Sequence, residues 1–126
     1  MIVFNCSLGT GGGSSSSTDP NTILLINSNG TDGSIVFQDT SMYGNIITRN
    51  GDTHHETDQP LAGFGSTSIH FDGTTDTLQV PDSDASWAFG VGDFTIDIRV
   101  RLAAHAVGII GNGYNVANQW QLRQNP

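Results

Sequence analysis

Apolar and polar side chains alternate without a break over residues 94–102. Phe94, Ile96, Ile98, Val100 and Leu102 fall on one face, and Thr95, Asp97, Arg99 and Arg101 on the other. A period of two predicts a strand with one buried and one wet face, because a helix would scatter these positions around its circumference. Shorter apolar runs recur along the chain: Ile23-Leu24-Leu25-Ile26, Ile35-Val36-Phe37, Ile46-Ile47-Thr48, Ser68-Ile69-His70-Phe71, Thr77-Leu78-Gln79-Val80, residues 107–111, and residues 118–123 with Trp120 and Leu122 on one face. Turn chemistry separates them. Residues 27–33 and 39–44 read as turns, Asn50-Gly51 as a tight turn, 53–60 as a polar loop, and 81–92 as a connector holding Trp87 and Phe89. Asp72-Gly73-Thr74-Thr75-Asp76, between two of the runs, predicts a β-hairpin. No stretch has helical periodicity. About eight short strands at roughly ten-residue spacing predict an antiparallel sandwich.

Before the first of these runs the pattern changes. Ile2, Val3, Phe4 and Leu8 make residues 1–8 one short strand, and residues 9–19 read GTGGGSSSSTD, a flexible linker by composition. The linker carries no hydrophobic anchor, so residues 2–8 must be held by something other than their sequence neighbours. The expectation is a docking strand that pairs with another subunit, with a frayed terminus as the alternative. The predicted organisation is a docking strand over 1–8, a Gly/Ser-rich linker over 9–22 and one β domain over 23–126.

Composition supports β structure and narrows the partners. The chain of 126 residues is at most one domain. Gly, Ser, Thr, Asn and Asp make up about half of it, the composition of short strands joined by many turns. Glu56 is the sole Glu beside eleven Asp, and Asp favours turns where Glu favours helices. There is no lysine, and the formal net charge is −8. That charge argues against nucleic acid bound through phosphates and against anionic membranes, and it suits partners that are cations or neutral sugars. Cys6 alone cannot build a disulfide framework. No run approaches the ~18 apolar residues of a membrane span. The first residues lack the basic start of a secretory signal, so synthesis in a host cytoplasm is expected.

The chain resembles a laminin-G-like, or concanavalin-A-like, jelly-roll domain over residues 23–123. The residues that carry the resemblance begin with Leu24-Leu25, Gly30-Thr31-Asp32-Gly33-Ser34, Phe37, Asp39, Ser41 and Gly44. They continue with Gly63-Phe64-Gly65, Ser68, Phe71-Asp72-Gly73, Asp76, Leu78, Pro81 and Ser83. They close with Phe89-Gly90, Gly92-Asp93-Phe94-Thr95-Ile96 and Val100. The resemblance implies a two-sheet antiparallel jelly-roll sandwich. Such domains usually need about 180–220 residues, so the sandwich is expected to be incomplete at its C-terminal end, leaving an apolar face and open edges. Either the natural chain continues beyond Pro126, or another chain supplies the missing strands, or this is a reduced version of the fold. The fold hosts sugar binding, adhesion and glycosidases alike, so it does not fix the activity.

Candidate chemistry is sparse. A glycosidase needs two carboxylates about 5–10 Å apart; Glu56 lies in a polar loop, and Asp97 stands beside Arg99, where it suits an ion pair better than an acid. The chain is therefore expected not to be an enzyme. His54-His55-Glu56-Thr57-Asp58 has metal-ligand residue types, but adjacent histidines on a strand point apart, so a solvated loop is preferred. His70 is expected to be the outward residue of a strand. Asp72 and Asp76 flank the predicted hairpin turn. Laminin-G-like domains often hold one Ca²⁺ through Asp and carbonyl oxygens, so the resemblance implies Ca²⁺ there; the plainer reading is that both residues shape the turn. Asp82 and Asp84 are a weaker pair of this kind. Trp87 and Trp120 are assigned to packing. Tyr114, between Asn112 and Asn115 in a Gly-rich loop, is the better candidate for stacking on a sugar ring.

Jelly rolls of this kind occur in tailed-phage structural proteins. The resemblance therefore implies a non-enzymatic virion surface protein, a fibre, tail or capsid-decoration component, made in a host cytoplasm without a signal peptide. Residues 2–8 would dock it on other virion subunits, in an oligomer or on the particle, and its exposed domain would bind a cell-surface glycan. The alternative is a carbohydrate-binding module of a secreted multidomain protein or glycosidase.

Overall fold

The computed structural model describes residues 2–3, 20–58, 65–81, 87, 93–102, 109–111 and 121–122. Every regular element among them is a strand: β1 (Ile2–Val3), β2 (Thr48–Asn50), β3 (His54–Glu56), β4 (Ser68–His70), β5 (Thr77–Gln79), β6 (Arg99–Val100), β7 (Ile110–Gly111) and β8 (Gln121–Leu122). All pairs are antiparallel. One sheet has the order β3-β4-β1-β6, while β2 pairs with β5 and β7 with β8. The expected all-β, helix-free chain is thus seen in the described residues, as small antiparallel sheets. Among these residues no helix is long and apolar enough to cross a membrane.

The predicted hairpin is corrected to a corner. β4 and β5 do not pair with each other; β4 pairs with β3 and β1, and β5 with β2. His54 faces His70, and Asn50 faces Thr77. Between those two pairs, residues 51–53 on one side oppose residues 71–76 on the other. Two segments, 48–56 and 68–79, therefore run as one antiparallel ribbon that bends from one sheet into the next, as strands do where a chain changes sheets. Gly51 (φ +69°) and Gly73 (φ +79°) supply left-handed backbone on the two sides of the bend. Asn50-Gly51 is a turn as its sequence predicts, though it serves the corner and not a hairpin.

The core draws on residues from both ends of this bend. Ile26, Phe37 and Ile69 are buried together, with Leu24, Ile47, Phe71 and Leu78 packed against them. Phe71 opens the corner and Leu78 follows it, and both pack on this one cluster. Other apolar runs are used less than their sequence predicts. The runs at 23–26 and 35–37 form no strand; the first makes a single bridge from Ile26 to Asp39. Leu25 and Ile26 are buried, whereas Ile35 and Val36 are exposed. Ile46 is 76 % exposed, and the strand starts two residues later than predicted, at Thr48 in β2.

The alternating stretch 94–102 is also corrected. Only Arg99 and Val100 join a sheet, beside Val3 and Ile2, and Phe94 is 57 % exposed. Alternation fixes which residues share a face; burial of that face needs an opposing layer, and Phe94 keeps more than half of its surface exposed. Ile35, Val36, Met42, Tyr43, Ile46 and Leu122 are exposed as well. The C-terminal runs at 107–111 and 118–123 each contain a strand, and these pair with each other.

Ile2 and Val3 lie within the chain's own sheet. Ile2 pairs with Ile69 on one side and Val100 on the other, so β1 is an inner strand. The rest of the expected docking strand and residues 9–19 of the expected linker lie outside the described residues.

Candidate functional site

Three polar clusters contain several of the motif residues. The first is centred on His55, which the sequence placed in a solvated loop. That expectation is corrected: residues 54–56 are a strand, and its alternation turns His55 into the core beside Ile69, its cross-strand partner. His55 is 2 % exposed and its ring stacks on Phe37 with centroids 4.7 Å apart. Its Nε2 lies 3.1 Å from the Val36 carbonyl, which can only accept, so Nε2 carries the proton. Nδ1 then accepts, and Ser28 Oγ (3.3 Å) and Thr67 Oγ1 (3.2 Å) both approach it. Thr67 Oγ1 donates to the Ser28 carbonyl at 2.9 Å, which leaves the Ser28 hydroxyl free to serve the ring. Burial holds the His55 pKa below its ordinary value; the Val36 carbonyl opposes this and the neighbouring His54 charge adds to it. A serine hydroxyl against an imidazole has the parts of a nucleophile and base, but Ser28 is wholly buried. The pair holds the core together and faces no substrate path in the described structure.

Gly30-Thr31-Asp32-Gly33-Ser34 wraps the outside of this cluster. A Cβ on Gly30 would stand 2.5 Å from the His55 ring. Gly33 N donates to the His55 carbonyl at 2.7 Å, and His55 N donates to the Ser34 carbonyl at 2.8 Å. Asp32 accepts from both the amide and the hydroxyl of Thr57.

The second cluster is built by Asp39. Its Oδ1 accepts from the amides of Leu25 and Ser41, both at 2.9 Å. Its Oδ2 accepts from the Ser41 hydroxyl, the Asn45 amide and Asn45 Nδ2, at 2.8, 2.8 and 2.7 Å. Partial burial works to raise this pKa, yet the hydrogen bonds from Leu25, Ser41 and Asn45 together outweigh it and the net shift is downward. One carboxylate thereby joins the 23–26 run to the 39–45 turn.

The third cluster is the corner. Carboxylate oxygens of Asp52, Asp72 and Asp76 lie within 4.8 Å of one another. The structure thus brings together the predicted pair Asp72 and Asp76, and adds Asp52, which sequence reading missed. The missing signal was the pairing of 48–56 with 68–79, which no local pattern encodes. Asp72 Oδ1 accepts from the amides of Thr74, Thr75 and Asp76, and Oδ2 from the hydroxyls of Thr74 and Thr75. These bonds, led by the Thr74 hydroxyl, hold its carboxyl far below the usual carboxylate range. Asp76 accepts from the amides of Asp52 and Asp72, at 2.8 Å each. Asp72 is committed to its own turn, whereas each Asp76 oxygen keeps a lone pair and Asp52 faces solvent. Hard carboxylate oxygens at this spacing are of the type that could hold Ca²⁺.

On the sheet face opposite Ile69, His54 and His70 pair across β3 and β4 with ring centroids 5.0 Å apart. His54 Nδ1 lies 2.6 Å from the Asp52 carbonyl, while His70 Nδ1 is buried without a hydrogen bond. Arg99 and Asp97 form an exposed ion pair at 2.6 Å. The predicted sugar-binding residues Tyr114, Asn112 and Asn115 lie outside the described residues, as do Asp82, Asp84 and Trp120. Comparison with known proteins returns no match to the chain, whether among family models, curated proteins or solved structures.

Proposed function

We propose that the chain is a non-enzymatic surface component of a phage virion, a fibre, tail or capsid-decoration protein. In this reading its β domain is a two-sheet jelly roll and its N-terminal strand is the assembly element. The observation that carries the reading is the position of β1. Two residues at one end of the chain form an inner strand of the largest sheet, and the sequence between them and Pro20 is rich in Gly and Ser. A strand on such a tether is suited to engaging other subunits, which strand addition does through main-chain hydrogen bonds. The polar motif residues fit the same reading. Asp32, Asp39, Ser28 and His55 direct their side chains to the fold's own hydrogen bonds, which suits architecture better than catalysis.

Glycan adhesion through Tyr114, Asn112 and Asn115 is the second part of the proposal. Ca²⁺ at Asp52 and Asp76, beside the amide-bound Asp72, is the third; it would brace the corner. The test is attachment to particles assembled from the genome that encodes the chain. The full-length protein should sediment with them and a variant lacking residues 1–8 should not. Binding to a glycan array without any particle association would favour the carbohydrate-binding module instead.

A further inference from the structure

We propose that β1 is an exchangeable strand, and that the slot between β4 and β6 accepts Ile2–Val3 from a second copy of this chain. The inference deepens the docking role proposed above by naming the partner, and it rests on that reading.

The slot is defined by register. In the sheet order β3-β4-β1-β6, β4 and β6 are joined, among the described residues, through β1. Ile2 stands opposite Ile69 on one side and Val100 on the other, and Val3 stands opposite Arg99. With β1 withdrawn, β4 and β6 each present an unpaired edge to the gap. Such edges invite another strand. The one segment the structure shows to fit the gap is Ile2–Val3, and every copy of the chain carries it.

The tether permits the exchange. Residues 4–19 separate β1 from Pro20, and those sixteen residues include the run GTGGGSSSSTD. A Gly/Ser-rich segment of this length has a root-mean-square span of about 22 Å and an extended reach of about 55 Å. That reach suffices for β1 to enter its own sheet or a neighbour's. The strand makes the same ladder bonds in either case, so the two arrangements differ mainly in tether entropy and local concentration. Crowding of copies on a particle therefore favours exchange between neighbours. Two paired residues are also a small anchor, which leaves the strand free to leave and rejoin.

Cysteine pairing of purified copies, with no particle present, tests the inference apart from virion docking. One copy carries Ile2→Cys and the other Val100→Cys, each with Cys6→Ser. Antiparallel Cα partners lie about 4.5–5.5 Å apart, within the range a disulfide bridges. Mild oxidation of the mixture should give a disulfide-linked heterodimer, several-fold above a control in which Thr95→Cys replaces Val100→Cys. A single chain carrying both Ile2→Cys and Val100→Cys checks that the register forms at all. An internal bond there, with no heterodimer above control in the mixture, would overturn exchange while leaving virion docking open. Failure of both bonds would overturn the slot itself. Loss of particle binding on removal of residues 1–8, without heterodimer formation, would assign the strand to a different subunit and defeat this inference alone.

Discussion

His55 and Phe37 stack ring on ring in the core, with centroids 4.7 Å apart and 24° between their planes. The contact joins a strand to a stretch that is not itself in a sheet, and it fixes Val36 so that its carbonyl can accept from His55 Nε2. His55→Ala would leave that carbonyl without its donor, leave the Ser28 hydroxyl with Thr67 alone, and open a cavity. The expected loss is about 2–4 kcal/mol. His55→Phe would restore volume without the hydrogen bonds and should recover only part of this. Urea denaturation of the two variants checks the difference.

The same residue sets a pH response. Its folded-state pKa is depressed from 6.5, so the unfolded chain takes up the proton first as pH falls. Stability from this group is complete above about pH 6.5 and declines as the pH drops below it. Asp39 and Asp72 are also depressed, from 3.8. Their contribution is present above that value and is lost as pH falls further. Denaturation midpoints from pH 8 to pH 3 should show two declines, and His55→Phe should remove the first.

Asp39→Asn keeps the size of the side chain but replaces one acceptor oxygen with a donor facing amide and hydroxyl donors. A loss of about 2–3 kcal/mol is expected. Asp97→Asn, which breaks only the exposed pair with Arg99, should cost less than about 1 kcal/mol. Thermal melting of the two variants side by side separates a built carboxylate from a surface one.

Two glycines should resist substitution for different reasons. Gly30→Ala pushes a methyl into the His55 ring and should cost about 1–3 kcal/mol. Gly51→Ala adds left-handed backbone strain to a collision with Asp76, and should also loosen the corner. Gly33→Ala meets no atom within 4 Å and carries only the strain of φ +72°. Its loss should be smallest, as equilibrium unfolding can measure.

Calcium at the corner makes a separate prediction. Millimolar CaCl₂ should raise the melting temperature of the native chain, and Asp52→Asn combined with Asp76→Asn should abolish the rise. An equal rise in the double variant would assign the effect to general ionic screening.

The sequence carried the β class because turn chemistry and period-two patterning are local. Asn50-Gly51 and Asp72-Gly73 each turn the chain where their residues say they should. Partnership was not legible. Whether 77–79 returns onto 68–70 or crosses to 48–50 depends on six residues opposing three at the corner, and neither segment records that alone. Asp52 was missed for the same reason. His55 was misread because its polarity outweighed its position, although Thr53 and His55 are buried while His54 and Glu56, the residues on either side of His55, are less so. The role of Asp39 was hidden in the resemblance, since its donors Leu25 and Asn45 lie on both sides of it at unequal distances in sequence.

The central claim is that this β domain sits on a virion surface and is held there by its N-terminal strand. Immuno-electron microscopy of intact particles, with antibody raised against residues 20–102, tests it most directly. The account predicts surface labelling with the full-length chain. It also predicts loss of label when residues 1–8 are deleted, with the far-UV circular dichroism still showing a β domain. Unlabelled particles, or label that survives the deletion, would contradict it.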